Sequence, residues 1–375
     1  MQKNNLILPP KTIGIIGGGQ LGRMMALAAK YMGYRIAVLD PTADCPTAQV
    51  ADHSIVAHYD DMDAIKELAN VSDVVTYEFE NVSLQAAAFL EQQGKLPQGA
   101  YALEVTQNRE KEKIVMRELD LPVADFVVVR NGEECLRALQ DFSFPVVIKT
   151  CSGGYDGKGQ LKIEDESDID TACQFADKYR HCIIEQWVRF DKEISVIFTR
   201  SQAGEITFFP IAENEHRQHI LYQTSVPATV STEVEKLAIQ AVEKLAHHMH
   251  IVGTFAVELF VQGDSIYMNE LAPRPHNSGH YTIEACNVSQ FMQHIRAICG
   301  MPLLEVNLLQ SAIMVNVLGQ DLEHVMQCLP KATAGFVHLY GKEAAKAQRK
   351  MGHITFTSDT LQNVHQQMKT FWEAK

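Results

Sequence analysis

A glycine-rich stretch between two apolar segments constrains this chain more than any other feature. Residues 149–160 contain four glycines within seven positions, with strand patterns at 144–148 and 161–163 on either side. Glycine lets backbone N–H groups approach a polyphosphate closely, and Lys149 and Lys158 would neutralise its charge. The pattern favours a flexible lid over ATP, although a plain glycine-rich hairpin accounts for this stretch equally well. It matches neither the P-loop nor the dinucleotide fingerprint.

The composition is that of a folded, acidic protein without an extended basic surface. Its 375 residues are 46% hydrophobic and 21% charged, and the length suggests about two to three domains. The net charge of -13 argues against nucleic acid or an anionic membrane as the main partner. No secretory signal pattern and no apolar run approaching ~18 residues is present, so we expect a cytoplasmic protein. Eight cysteines without zinc-type spacing are expected to be free thiols.

The N-terminal segment has the pattern of an αβ unit that binds an anion. A buried-strand pattern at 12–16 runs into Gly17–Gly22, and a helix and a second strand ending at Asp40 follow. This satisfies the dinucleotide fingerprint and, taken alone, predicts NAD. The glycines, however, only bring a helix N-terminus close to some anion, which can be any phosphate. The αβ domain is therefore predicted, and its ligand stays open.

Two charged segments follow, and each has a functional and a plain interpretation. Glu78, Glu80 and Asn81 stand at the carboxyl end of a predicted strand, the edge where open parallel sheets bind ligands. Solvated loop acids explain them equally well. The charged segment 108–113 is expected to be mostly the solvated face of a helix with i to i+4 pairing.

The C-terminal half contains a hairpin that carries two acids. Strand patterns at 253–260 and 265–275 flank a short turn, and side-chain alternation can put Glu258 and Glu270 on one face. With the Asn269 amide, these hard oxygen ligands suit Mg²⁺ bridged to nucleotide phosphates better than zinc. Apolar neighbours on both strands weaken the alternative of two acids facing water.

A basic segment stands out near the C-terminus of this acidic chain. It contains Lys342, Lys346, Arg349 and Lys350. These residues could simply balance the surface charge. They could also bind a phosphorylated substrate or another anion.

The order of these parts resembles the ATP-grasp superfamily, in which ATP lies between a small lid domain and a C-terminal sheet. Within it, the segments 77–81, 154–160, 213–217, 269–280 and 340–353 resemble the N5-carboxyaminoimidazole ribonucleotide synthetase family over essentially the whole chain. The resemblance implies an α/β fold, α+β in part. Its expected divisions are a Rossmann-like domain at 1–106, a central lid domain at 125–190, and a C-terminal ATP-grasp domain from 107–124 and 191–375.

The resemblance also implies a reaction and its reactants. ATP would phosphorylate bicarbonate to carboxyphosphate, which breaks down to CO₂ and phosphate, and the amine of 5-aminoimidazole ribonucleotide would be carboxylated. The implied cofactors are ATP and Mg²⁺, with Mn²⁺ as the alternative metal. The implied assembly is a homodimer that binds small-molecule substrates and neither nucleic acid nor membrane.

Site residues follow from the same resemblance. The implied ATP site consists of Arg109, Lys149, Gly154, Tyr155, Asp156, Gly157, Lys158, Gly159, Gln160, Glu185, Gln186, Trp187, Val188, Glu193, His216, Asn269 and Glu270. The implied metal ligands are Glu258 and Glu270. The implied substrate contacts are Gly19, Gln20, Leu21, Glu78, Asn81, Tyr155, Asp156, Arg274, His276, Asn277, Ser278, Lys342, Arg349 and Lys350. The implied catalytic residues are Asp156, Arg274, His276, Asn277 and Lys342.

Within that set, two roles are more specific. The resemblance implies that Gly17–Gly22 and Glu78 face the ribonucleotide, whose 5′-phosphate takes the place of a dinucleotide pyrophosphate. Asp156 is expected to orient the substrate amine or accept its proton.

Three alternatives stay open from the sequence. One is another ATP-grasp ligase, such as formate-dependent glycinamide ribonucleotide transformylase or biotin carboxylase. A second is an NAD-dependent oxidoreductase built on Gly17–Gly22 and Asp40, which leaves the acids of the C-terminal hairpin unexplained. A third is a catalytically silent module that binds ATP without releasing phosphate.

Overall fold

The chain folds around three β-sheets whose faces are covered by helices. The structure is a computed structural model and describes residues 6–153 and 159–373. A parallel sheet comes first, a small antiparallel sheet second, and a large antiparallel sheet last. This order agrees with the α/β architecture that the sequence predicts, whereas the exact domain limits stay a prediction.

The parallel sheet has the strand order β3-β2-β1-β4. Each strand pairs in parallel with its neighbour, as the alternation of strands and helices in the sequence predicts. The buried apolar strands β1 and β4 lie at its centre and edge, and helices pack on its faces. Its elements are β1 (Thr12–Ile16), α1 (Gln20–Tyr31), β2 (Arg35–Leu39), β3 (His53–Ile55), α2 (Met62–Val71), β4 (Val74–Tyr77), α3 (Leu84–Gln92) and α4 (Tyr101–Thr106).

A helix, α5, then leads into the small sheet, whose strand order is β5-β8-β6-β7. All of its strand pairs are antiparallel, and two helices cover one face through a compact apolar core. Strands β6 and β7 are the two arms that flank the glycine-rich stretch. The elements are α5 (Arg109–Glu118), β5 (Phe126–Val129), α6 (Gly132–Leu139), β6 (Val146–Thr150), β7 (Gln160–Ile163), α7 (Ile169–Tyr179) and β8 (Cys182–Gln186).

The large sheet has the order β14-β13-β9-β11-β12-β15-β17-β16, with β10 paired to β9. Its first strands pack on α8, and its last strands pack on α11 and α12. Its elements are β9 (Lys192–Arg200), β10 (Ile206–Phe208), β11 (Ala212–Arg217), β12 (Ile220–Val226), α8 (Thr232–His248), β13 (Gly253–Gln262), β14 (Ser265–Ala272), α9 (Thr282–Ala285), α10 (Gln290–Ile298), β15 (Ser311–Leu318), α11 (Leu322–Cys328), β16 (Phe336–Leu339), β17 (Lys350–Ser358) and α12 (Leu361–Glu373).

Helix α5 differs from the expectation of a solvated charged face. Asn108 caps it by accepting hydrogen bonds from the backbone N–H groups of Glu110 and Lys111. Glu112 and Lys113, however, are each only 1% exposed. The helix lies between the small sheet and the edge of the large sheet, and this packing buries charges that helical spacing alone would leave in water.

A buried histidine links the parallel sheet to the large sheet. His294 of α10 accepts a hydrogen bond at Nδ1 from the backbone N–H of Thr254 in β13 (3.0 Å). Its Nε2 lies 2.9 Å from Oγ1 of Thr76 in β4, and that hydroxyl donates to Gln98 Oε1. Both ring nitrogens are therefore used by a neutral imidazole with its proton on Nε2. Burial lowers the pKa of His294 to about 3.

The low pKa of His294 predicts that the fold loses stability in acid. Between pH 6.5 and about 3 the unfolded chain binds a proton at His294 that the folded chain does not, so stability falls as the pH falls through this window, by about 1.4 kcal/mol per pH unit. We expect His294→Gln to be less stable than the parent at pH 7 and to lose less further stability on acidification to pH 5. Thermal melting at both pH values measures this, with His248→Gln at the exposed end of α8 as the control. Equal acid losses in the parent and His294→Gln would contradict it.

Candidate functional site

The three sheets enclose one large cleft of about 1090 Å³. A cavity that holds one drug-sized ligand occupies roughly 300–1,000 Å³, so the cleft has room for more than one small molecule. The carboxyl end of β4, the small sheet, the β13–β14 hairpin and the basic segment before β17 all contribute to its walls. Segments that are far apart in the sequence therefore meet at one site.

Most of the predicted site residues that the structure describes line this cleft. They are Gln20, Leu21, Glu78, Arg109, Lys149, Gln160, Glu185, Gln186, Trp187, Val188, Glu193, His216, Glu258, Asn269, Glu270, Arg274, His276, Asn277, Lys342, Arg349 and Lys350. Their individual contacts with ligands stay predictions. The predicted lid residues Gly154, Tyr155, Asp156, Gly157 and Lys158 lie outside the described residues.

Four predicted residues do not line the cleft. Gly19 and Gly159 act through their backbones: the Gly19 N–H donates to Glu78, and the Gly159 carbonyl accepts from the Thr150 N–H. Asn81 is exposed and borders a smaller adjacent depression. Ser278 is fully buried behind His276. Ser278 therefore supports the neighbouring side chain of His276, and its direct contact with the substrate stays a prediction.

A buried carboxylate with two ammonium groups lies at the junction of the small sheet, α5 and β14. Glu185 Oε2 lies 3.0 Å from Lys149 Nζ and 3.9 Å from Lys113 Nζ. Burial alone would raise the pKa of Glu185, but Lys113 and Lys149 outweigh it and hold this pKa at about 2. Glu185 is therefore ionised at every physiological pH. The cluster keeps a net positive charge beside the cleft, which favours an anionic ligand.

Apolar and polar side chains next to this cluster form a pocket of mixed character. Trp187 and Val188, which follow β8, line the cleft together with Tyr267 of β14. The Lys162 ammonium lies 4.3 Å from the centroid of the Trp187 ring. Such an apolar wall with nearby polar groups suits a planar base and its sugar.

The acids of the β13–β14 hairpin are direct cross-strand neighbours, as the sequence predicts. Glu258 lies opposite Glu270 in the ladder, and Arg109 of α5 donates to Glu270 Oε2 at 3.3 Å. Burial raises the pKa of Glu258 to about 7. The charge of His216 lowers this pKa, and the repulsion of Glu270 raises it. A crowded pair of carboxylates of this kind is relieved by a cation.

The donor set fits a hard divalent cation that also binds phosphate. No group of three or more His, Cys, Asp or Glu side chains within 6–153 and 159–373 is arranged to hold a metal by itself. Two carboxylates, however, are what Mg²⁺ usually takes from a protein, with water and substrate phosphates filling the other positions. Glu258 and Glu270 therefore suit a metal that arrives with a nucleotide.

His216 belongs to the same polar wall. Its Nδ1 is hydrogen-bonded to Glu193. Burial alone would lower the pKa of His216, but the hydrogen bond to Glu193 and the charge of Glu258 raise it. The imidazolium form is therefore favoured at this position, which adds a positive charge beside two acids.

A directed hydrogen-bond chain fixes the next wall residue, His276. Asn214 donates to Ser195 Oγ (3.1 Å), Ser195 and Ser278 hydroxyls are 2.7 Å apart, and Ser278 Oγ lies 2.8 Å from His276 Nδ1. The Ser278 backbone N–H also donates to Nδ1 (3.4 Å), so Nδ1 is an acceptor and Nε2 carries the ring proton. Burial, with the nearby positive Arg274, holds the pKa of His276 well below its usual value.

Arg274 is held by a single acid beside this histidine. Its Nε donates to Glu80 Oε2 at 2.7 Å. Although burial alone would raise the pKa of Glu80, Arg274 holds it below its ordinary value. This ion pair orients the guanidinium, whose remaining N–H groups suit a planar oxyanion.

The glycines near the N-terminus do not offer a free anion site. The backbone N–H groups of Gly19 and Gly22 both donate to the carboxylate of Glu78, and the Gly18 N–H donates to Asp40 Oδ2 at 2.7 Å. Asp40 also accepts from the Tyr59 hydroxyl. The chain's own carboxylates therefore occupy the positions that a pyrophosphate or a 5′-phosphate would take. That the substrate phosphate binds at this loop stays a prediction, and these hydrogen bonds do not favour it.

Basic side chains of residues 342–350, a segment that ends at the first residue of β17, form a second group that suits an anion. Lys342, Arg349 and Lys350 all line the cleft. The Lys342 ammonium donates to the Lys350 carbonyl at 2.8 Å, and its charge lowers the pKa of Glu78 against the larger effect of burial. A phosphate is therefore better placed at this basic segment than at the glycine loop.

Two buried side chains of α5 beside the cleft were not predicted from the sequence. Lys113 lines the cleft, and the buried Glu112 accepts a hydrogen bond from the Leu271 N–H at 2.7 Å. Their spacing within a charged helix gives no sign of burial. The only available signal was the proximity to Arg109 on the same helix.

Comparisons with known proteins identify three matched segments. Residues 10–107 match a ribonucleotide synthetase preATP-grasp domain, residues 114–291 an ATP-grasp domain, and residues 312–367 the C-terminal domain of phosphoribosylaminoimidazole carboxylase. The expected ATP-grasp fold is therefore confirmed. Among the described residues, no helix is both long and apolar enough to cross a membrane.

Full-length relatives are similar throughout. The N5-carboxyaminoimidazole ribonucleotide synthase of Bacillus subtilis is 46% identical, covering 98% of this chain and 97% of its own. A crystal structure of an N5-carboxyaminoimidazole ribonucleotide synthetase with ADP is 53% identical, with a TM-score of 0.95 and coverage of 99% and 98%. An Aspergillus clavatus N5-carboxyaminoimidazole synthase with ADP and 5-aminoimidazole ribonucleotide is 29% identical, with a TM-score of 0.89 and coverage of 97% and 98%.

The buried cluster around Glu185 predicts a large loss of stability when its acid is removed. Glu185→Gln leaves Lys149 and Lys113 without their buried countercharge, which should cost about 3–5 kcal/mol of the free energy of unfolding. Urea denaturation at pH 7 measures this. Glu104→Gln is the matched control, because its pair with Lys111 is about half exposed and should contribute at most about 1 kcal/mol. Similar losses in both variants would show that burial does not set the cost.

Proposed function

Because the chain belongs to the N5-carboxyaminoimidazole ribonucleotide synthase family of ATP-grasp ligases, we propose that its cleft holds three reactants in adjoining regions. Its activity is the ATP-dependent carboxylation of 5-aminoimidazole ribonucleotide to N5-carboxyaminoimidazole ribonucleotide in purine biosynthesis. The observation that carries the site proposal is the convergence, on one cleft, of a paired-acid hairpin, a buried cationic cluster and a basic segment. We assign these to the metal, the nucleotide and the ribonucleotide respectively, and we place bicarbonate, the third reactant, beside the metal pair.

The nucleotide is proposed to lie between the small sheet and the β13–β14 hairpin. The apolar side chains of Trp187 and Val188 suit the adenine ring, and Glu193 would accept hydrogen bonds from the ribose hydroxyls. Lys149 and Arg109 would neutralise the phosphates as the terminal phosphoryl group is transferred. The predicted lid at 154–160 would exclude water from this end.

Glu258 and Glu270 are proposed to hold Mg²⁺, with Mn²⁺ as the alternative. The ion, when bound, withdraws charge from the phosphate oxygens. Asn269 lies beside this pair on β14. Arg109 keeps Glu270 oriented toward the cleft through the 3.3 Å contact, so the acid does not need to reorganise when the ion arrives.

Bicarbonate is proposed to bind next to these acids, at Arg274, His276 and Asn277. His276 Nε2 lies 3.5 Å from Glu258 Oε1, so this region adjoins the metal pair directly. A neutral His276 donates from Nε2 without adding a charge that would compete with the ion. Arg274 offers planar N–H groups to the oxyanion of bicarbonate and then of carboxyphosphate.

The ribonucleotide is proposed to place its phosphate at Lys342, Arg349 and Lys350. Glu78 and Gln20 line the cleft nearby and would contact the sugar through its hydroxyls. Asn277 accepts a hydrogen bond from Gln20 Nε2 at 3.3 Å, which links the ribonucleotide region to the bicarbonate region. We also propose that Asp156 orients the amine of the ribonucleotide. A homodimeric assembly and a cytoplasmic location complete the proposal.

The reaction is tested by phosphate release with candidate acceptors added one at a time. We expect release from ATP that depends on both bicarbonate and 5-aminoimidazole ribonucleotide, and no stimulation by formate, glycinamide ribonucleotide or biotin. Stimulation by one of those compounds alone would favour another ATP-grasp ligase. Absence of release despite ATP binding would favour a silent module.

The metal assignment predicts the effect of Glu270→Gln. Loss of one of two anionic ligands should reduce Mg²⁺-dependent ATP turnover by about 10²- to 10³-fold, while the melting temperature stays close to that of the parent. Steady-state turnover at saturating Mg²⁺ measures this. Glu233→Gln at the exposed start of α8 is the charge-matched control. Near-normal turnover in Glu270→Gln would remove Glu270 from the metal site.

The substrate assignment predicts the effect of Lys342→Ala. Loss of one ammonium at the phosphate should raise the KM for the ribonucleotide by about 10- to 100-fold, since hydrogen bonds to charged groups contribute about 1.5–3 kcal/mol. The KM for ATP should change little. Lys346→Ala, an exposed lysine of the same segment, is the control. A rise confined to the KM for ATP would contradict the assignment.

A further inference from the structure

The strand that carries Glu270 lies at the edge of the large sheet. Strand β14 pairs with β13 on one side and has no strand on the other side among the described residues. Backbone groups on the outer side of an edge strand have no ladder partners. Helix α5 and the loop that follows it cover this side.

The ladder between β13 and β14 is also irregular at the predicted metal pair. Glu258 lies opposite Glu270, and the next residue, Leu259, lies opposite Met268. Asn269 therefore has no partner across the ladder and is the extra residue of a β-bulge. Bulges redirect side chains beside functional sites, and this one lies directly before Glu270.

Side chains of α5 bind the backbone on both sides of this bulge. The Lys113 ammonium donates to the carbonyls of Met268 and Asn269, at 3.0 Å each. In a regular strand successive carbonyls point in opposite directions, so the bulge is what lets one ammonium reach both. On the other side of Glu270, Glu112 Oε1 accepts from the Leu271 N–H at 2.7 Å.

Both side chains are buried, so these hydrogen bonds are made without competition from water. Lys113 is 1% exposed, and its charge is balanced by Glu185 at 3.9 Å. Unpaired backbone groups in such a place would be costly. The bulge therefore depends on α5 for its shape.

We propose that two neighbouring residues of α5, Glu112 and Lys113, are positioning residues for Glu270. They hold the backbone immediately before and after it, and so fix where its carboxylate presents oxygens to the cation. The inference rests on the proposed role of Glu270 in binding a divalent cation with the nucleotide. Lys113 also contacts Glu185 of β8. Its ammonium group therefore links the small sheet to β14, the strand that carries Glu270.

The test measures metal binding without turnover. Mn²⁺ affinity in the presence of ADP is determined by electron paramagnetic resonance for the parent, Lys113→Met and Glu112→Leu. We expect each variant to weaken Mn²⁺ binding by about 10- to 100-fold, the range seen for groups that orient metal ligands. Lys111→Met, an exposed lysine on the same helix, should bind as the parent does.

A conservative variant separates positioning from charge. Glu112→Gln keeps an oxygen that accepts from the Leu271 N–H, so it should restore most of the affinity that Glu112→Leu loses. Thermal melting checks that each variant folds, and Glu112→Leu serves alone if Lys113→Met does not. Parent-like Mn²⁺ binding in a folded Lys113→Met or Glu112→Leu overturns the inference and leaves the proposed function standing. Absence of Mn²⁺ binding in the parent overturns the proposed metal site itself.

Discussion

The compensation of buried charge around Glu185 is the interaction on which the cleft depends. This acid lies where the small sheet, α5 and β14 meet, and it is ionised because Lys149 and Lys113 surround it. Neither lysine could be buried alone, since an uncompensated charge in the interior is costly. The cluster thus holds the three elements together and at the same time keeps positive charge beside the cleft. In a chain with a net charge of -13, such local cations are needed before a polyphosphate can bind.

Pairs of opposite charges also hold basic side chains in place in the remaining walls of the cleft. Arg274 is paired with Glu80, and His216 is paired with Glu193. Each basic group is held in place by one acid and keeps further N–H groups for a ligand. His276 is held differently, by a chain of neutral hydroxyls that leaves it uncharged. The cleft therefore offers both charged and neutral hydrogen-bond donors to its ligands.

The sequence predicted the parts of the site that depend on local pattern. Strand alternation predicted the hairpin that carries Glu258 and Glu270, but the register set by its turn would pair Glu258 with Asn269, and only the bulge brings Glu270 opposite Glu258. It could not predict the bulge at Asn269, because the bulge depends on α5, a helix distant in the sequence. Burial of Lys113 was missed for a related reason: its partners are backbone carbonyls, which no sequence pattern reveals. The burial of Ser278 and its hydrogen bonds to Ser195 and His276 could not be predicted either, because they depend on how this turn packs against β9.

The glycine fingerprint near the N-terminus has the spacing of a dinucleotide-binding loop, but its N–H groups donate to a carboxylate of the chain itself. A side chain at Gly19 would collide with the Glu78 carboxylate, and one at Gly18 would collide with Cys45. These glycines are therefore explained by the close approach of the chain to itself. Because the N–H groups at the start of α1 already donate to Glu78, the helix dipole stabilises an acid that is part of the fold. That acid in turn lines the cleft, so the motif now supplies a hydrogen-bond acceptor where a dinucleotide-binding protein supplies donors. Glu78 takes up the N–H groups that a phosphate would need, which supports the proposal that the ribonucleotide places its phosphate at the lysines and arginine of the basic segment.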